Sequence, residues 1–159
     1  DADGPDFHLH VPSTAVVIPT YIMVKYEAIG TESEMEVIGL ASATGDSSVT
    51  GTALTVYNLR MDAPQATLCT ATGAVDGAGV TDPNAGNRIE FWRRGHNLAD
   101  TTGSGENDRP ERVYEWKAGE TATPPIVVGG GAIAVYATGQ AATGFITVEW
   151  VELPANDLD

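Results

Sequence analysis

The stretch from Pro124 to Leu153, PPIVVGGGAIAVYATGQAATGFITVEWVEL, constrains the fold more than any other part of the chain. A short apolar run meets a triple-glycine break, then a strand, a Gly/Ala/Thr turn and a second strand with strict apolar/polar alternation. A period of two is that of a half-buried strand, because successive side chains point to opposite faces. Ile146, Val148 and Trp150 are therefore expected to face a core, and Thr147 and Glu149 to face away from it. Gly129, Gly130 and Gly131 are followed by neither a Lys nor a helix, as a phosphate-cradling loop requires. They read as a β-bulge or an edge turn.

The same period recurs upstream. Phe7, Leu9 and Val11 alternate with His8 and His10. Ala15 to Ile18 precedes a break at Pro19-Thr20, and Tyr21 to Ala28 sets Ile22, Val24 and Tyr26 against Lys25 and Glu27. Met35 and Val37 oppose Glu34 and Glu36. A turn cluster from Thr44 to Ser48 leads into a strand-like run from Val49 to Arg60, and Ala66 to Ala71 is a further short apolar stretch. Ile89 and Phe91 stand against Glu90 and Trp92, and Val113 and Glu115 against Tyr114 and Trp116. Residues 72–86 and 96–110 are rich in Gly, Asp and Asn or strongly polar, and read as surface loops. No window carries a helical stripe, while β-branched and aromatic residues fill the periodic segments. About eight to ten closely spaced strands predict an all-β chain, a jelly-roll-like antiparallel β-sandwich. Residues 1–6 read as a flexible N-terminal arm, 7–153 as a single sandwich domain and 154–159 as a polar C-terminal tail.

Charge narrows the function classes. Twenty-two acidic residues face eight basic ones, a formal net charge of -14. Such a chain repels phosphate backbones, so nucleic acid is not an expected partner. No apolar run approaches the length of a membrane-spanning helix, and no membrane partner is expected. Cys69 is the lone cysteine, so packing must hold the fold, and its strand-like setting suits a small buried side chain.

Each constellation that might carry chemistry has a plainer account. His8 and His10, two apart on a strand, share a face and form a weak candidate metal pair, as in cupins. A third His in the cupin setting is missing, because Gly95-His96-Asn97 lacks the flanking pattern. The alternative is that both lie on the polar face of the first strand. Acidic residues in loops 76–86 and 100–111 (Asp76, Asp82, Asp100, Glu106, Asp108 and Glu111) could supply oxygens to calcium, but their spacing fits no calcium loop. Glu90 and Glu115 could be sought as a glycosidase pair, yet each is equally the outward residue of an alternating strand. Gly103-Ser104-Gly105 lacks the strand-turn-helix setting of a nucleophile elbow. Trp92, Trp116 and Trp150 could form a sugar-stacking platform. Trp150 is in phase with the core, while Trp92 and Trp116 fit either a platform or packing in a core or subunit interface. Arg93-Arg94 is either a contact to a neighbouring acidic subunit or a solvated pair. No catalytic residue and no cofactor are expected.

Taken together, the Pro-Pro-Ile-Val-Val entry, the Gly129–Gly131 break, Ala132 to Tyr136, the Gly/Ala/Thr turn and the closing Glu-Trp-Val-Glu-Leu resemble the last strands of jelly-roll capsid decoration, or cement, proteins of tailed bacteriophages. The resemblance covers Pro124 to Leu153 and extends only loosely to the strand order from Phe7 to Trp116. It implies a non-enzymatic virion protein on the capsid surface, a symmetric oligomer of the homotrimer type that binds and stabilises the phage head. The major capsid protein or other virion proteins are then its partners. It carries over no functional residue. Phe7, Pro124, Pro125, Ile126, Trp92 and Trp116 are the candidate contact residues. Two other classes stay open: a carbohydrate- or receptor-binding sandwich using Trp92, Trp116 or the 96–110 loop, and a cupin-like metal protein using His8 and His10.

Overall fold

The computed structural model describes residues 4–29, 34–43, 49–62, 65–76, 88–97, 112–120, 123–137 and 142–158. Its strands are β1 (Phe7–His10), β2 (Ala15–Ile29), β3 (Glu34–Ser42), β4 (Thr50–Ala53) and β5 (Thr70–Asp76). They continue as β6 (Arg88–Asn97), β7 (Arg112–Lys117), β8 (Val127–Val128), β9 (Ala132–Ala137) and β10 (Ala142–Pro154), before a short 3-10 turn at Ala155–Leu158. All pairings are antiparallel, in two sheets of strand order 4-5-1-9-3-6 and 10-2-7, with β8 also beside β2. The all-β sandwich predicted by the period of two is present.

Alternation places the core between the sheets. Phe7, Leu9, Val37, Ile133 and Val135 from the six-stranded sheet meet Val17, Ile22, Val24 and Trp116 from the other in one buried cluster. Each such side chain contributes about 1.5–3 kcal/mol by leaving water. Ile146, Val148 and Trp150 of β10 pack against that cluster and Glu149 is exposed, as their phase requires. A second, smaller cluster of Leu40, Ala134 and Tyr136, joined by Ile38, sits apart from it.

Bulges modify the simple reading in β2 and in β6. The Pro19-Thr20 break lies inside one continuous strand: β2 pairs Val16 and Val17 with β8, then Tyr21 to Tyr26 with β7. Opposite β10, the register skips Thr20 and Glu27, so the extra residues sit on β2 while β10 runs regularly. In β6 the register against β3 skips Phe91, which turns both Phe91 and Trp92 toward the core. Gly39 makes room for this, since a Cβ there would lie 3.1 Å from the Phe91 ring. Phe91 then meets Trp116 edge to face, with centroids 5.1 Å apart.

The chain ends of the domain are also tied in. Pro5 is fully buried, Asp6 N donates to Val135 O, and the Asp6 carboxylate accepts from Ala137 N at 2.8 Å. Gly4 to Asp6 thus belong to the sandwich and not to a flexible arm; residues 1–3 lie outside the described residues. Ala155 N donates to Thr14 O, which secures the start of the C-terminal tail. The triple glycine forms the β8–β9 turn, with Gly130 at φ +86 and its N–H on Val11 O. A Cβ on Gly131 would stand 2.5 Å from Ser42 O, so only glycine fits there.

Candidate functional site: a braced apolar loop

After β4 the chain leaves the ladder. The strand expected from Val49 to Arg60 stops at Ala53, and Leu54 N makes the last bond toward β5, to Ala71 O. The following residues form no sheet, yet local polar groups hold them. Asn58 Oδ1 accepts from Arg60 N at 2.8 Å, and Asn58 Nδ2 donates to Gln65 O at 3.0 Å. The Arg60 guanidinium grips both carboxylate oxygens of Asp62, at 2.8 and 3.1 Å. Asx-type bonding of this kind substitutes for ladder bonds in turns.

Glu152 of β10 anchors the returning limb. Its carboxylate accepts from Thr67 Oγ1 at 2.6 Å, from Leu68 N at 2.7 Å and, more weakly, from Trp150 Nε1 at 3.4 Å. Thr67 Oγ1 in turn accepts from Cys69 N. Burial alone would raise the Glu152 carboxyl, but the donors from Thr67, Leu68, Trp150 and Cys69 outweigh it and hold the group below its ordinary range. Cys69 behaves oppositely. Burial, then the negative charge of Glu152, pushes its thiol up to about 12, so it stays a protonated packing group, not a nucleophile.

Val56 packs against the core, whereas Tyr57, Leu59 and Met61 are 81%, 75% and 89% exposed. Leu54 and Leu68 are exposed as well. A loop tied at both ends thus presents an aromatic ring, a thioether and a branched aliphatic side chain to solvent. Aromatic residues and Met, with Arg, are the types enriched at protein interfaces. Holding them on a braced loop lowers the ordering cost of binding. Chemically the site offers apolar contact area and one paired guanidinium.

The other candidates fall elsewhere. Trp92 and Trp116 are 6% and 1% exposed, so both belong to the core and neither offers a stacking face. Phe7 is likewise a core residue, which removes it from any contact surface. Of the remaining contact candidates, Pro124 and Pro125 are half-buried and Ile126 is exposed. His8 is buried on β1 opposite Thr72 and Ala134, while His10 is half-buried opposite Thr70 and Ala132. Among the described residues no three His, Cys, Asp or Glu side chains cluster as a metal would require. Glu90 is bound by Arg93 on the outer face of one sheet, and Glu115 accepts from Tyr21 on the outer face of the other, so they cannot flank one substrate. Arg93 is occupied within the chain by Glu90 and Glu36. Asp82, Asp100, Glu106, Asp108, Glu111 and the Gly103-Ser104-Gly105 turn lie outside the described residues. Tyr57, Leu59 and Met61 were hidden in the sequence because they alternate with Asn58 and Arg60 like a half-buried strand. Periodicity says that a row is apolar; it does not say whether anything covers the row.

Comparison with known proteins gives no relative: no family model, no curated protein and no solved structure matches the chain.

Proposed function

We propose that this chain is a non-enzymatic assembly protein, a capsid decoration protein that seats its braced loop on the outer surface of a tailed-phage head as part of a symmetric oligomer and stabilises that head. One observation carries the reading: Tyr57, Leu59 and Met61 are exposed on a loop fixed by Asn58, Arg60–Asp62 and Glu152. Exposing three large apolar side chains together costs solubility unless a partner covers them. The resemblance of Pro124 to Leu153 to cement proteins supplies the partner class, and the net charge of -14 argues against a nucleic-acid one.

The test is co-sedimentation with heads assembled from the major capsid protein encoded in the same genome. The wild-type chain should bind and raise the temperature at which the heads rupture. Tyr57→Ser combined with Met61→Ser should cut the affinity at least about tenfold, as expected for two central contact residues. Wild-type protein that leaves heads unbound would refute the reading, as would unchanged binding by the variant. A glycan-binding reading keeps one supporting observation, the exposed ring of Tyr57, and a glycan array on the same two proteins decides it.

A further inference from the structure

The outer face of the 10-2-7 sheet carries a charge pattern unlike that of the chain as a whole. Register places three full rows across it: Phe145–Lys25–Val113, Thr147–Met23–Glu115 and Glu149–Tyr21–Lys117. Lys25 and Lys117 are the two lysines of the sequence, and both stand in these rows beside Glu115 and Glu149. The rows are therefore charge-balanced in a chain of net charge -14. Apolar side chains are exposed among them, with Phe145 at 57% and Val113 at 47%, and Val151 and Val128 lie exposed further along β10 and β8.

We infer that this face docks against a second copy of the same chain, about a twofold axis parallel to β2. Charge is the reason for choosing that occupant. Two molecules of this acidity repel one another over most orientations, and a balanced apolar face is where they can close at the least like-charge cost. The twofold also pairs the rows. Turning the face over about β2 exchanges the β10 and β7 columns, so Phe145 lands on Val113 of the second copy. Glu149 then lands on Lys117 of the second copy, each contact occurring twice, as an isologous interface requires. Within one chain Lys117 already approaches Glu120 at 4.0 Å, so the contact with Glu149 of the second copy adds to a local pair. The axis brings the two Lys25 residues nearest each other, and their long stems let the ammonium groups reach away into water. A face some 40 Å long, three strands wide only where β7 and β8 flank β2, buries at most about 600 Å² per copy, at the low end of specific interfaces. So small an area suits a weak, reversible contact. It does not depend on capsid binding, and it gives pairs where the cement-protein resemblance implies threes.

Sedimentation velocity across the micromolar range tests it. Wild-type chain should form a dimer. Glu149→Lys and Lys117→Glu should each weaken association at least about tenfold by setting like charges together, and the double exchange should restore it. Phe145→Ser should weaken it without altering the melting temperature, and Tyr57→Ser should leave it unchanged, which separates this face from the capsid-facing loop. A monomer at every concentration, a trimer, or a dimer indifferent to all three charge exchanges would overturn the inference.

Discussion

Gly131 shows how little freedom the β8–β9 turn has. A methyl group there would meet Ser42 O and Val127 Cγ1, both at 2.5 Å, and one on Gly129 would meet the backbone of Ser13. Backbone cannot yield as a long side chain can, so Gly131→Ala should cost about 1–3 kcal/mol or more, read as a lower midpoint in urea. An unchanged midpoint would mean that the turn is not packed as described. The glycine run was readable as a turn because nothing downstream suited a phosphate loop. That its glycines are wedged between Pro12-Ser13 and Ser42 was not readable, since those neighbours are over a hundred and nearly ninety residues away in sequence. Phe91 makes the same point: alternation set it opposite Trp92, and one skipped residue in the register put both rings inside.

At the level of elements, the loop from Leu54 to Leu68 hangs on one carboxylate. Glu152 is held below its ordinary range, so the native state releases its proton more readily than the unfolded chain does. Its contribution is then complete above the unfolded value of 4.5 and fades as pH falls through the lower folded value. Asp6 has the opposite sign: burial raises it above 3.8, overriding the Ala137 N–H, so its protonation favours the fold as acid is added. Amide exchange separates the two by location. At Leu68 and Cys69, protection should drop on going from pH 6 toward pH 3, and in Glu152→Gln it should already be low at pH 6. Protection at Leu68 that is indifferent to both would remove Glu152 as the anchor. Alternation made β7 and β10 legible because each buries one face, whereas β1 and β9 are buried on both. The sequence misled at Val49 to Arg60, where the alternation is real but the apolar row faces solvent, and at Pro19, which a bulge accommodates within β2.

For the molecule as a whole, the sandwich was legible and its candidate site was not, since a core follows from patterning whereas an uncovered patch depends on which loops reach where. The charge excess has its own consequence. A net charge of -14 on one folded domain repels itself, and added salt screens that repulsion. Raising sodium chloride from a few millimolar to about 0.15 M should therefore raise the melting temperature, and a fall would show that specific ion pairs such as Arg93 with Glu36 and Glu90 outweigh it. Strand order adds a consequence in time. β1 closes only on β5 and β9, and the long flank of β2 only on β10. On a ribosome these first apolar strands emerge on the order of ten seconds before their last partners exist. Through that interval each nascent chain carries open strand edges, and like charge between copies opposes the completion of one another's sheets.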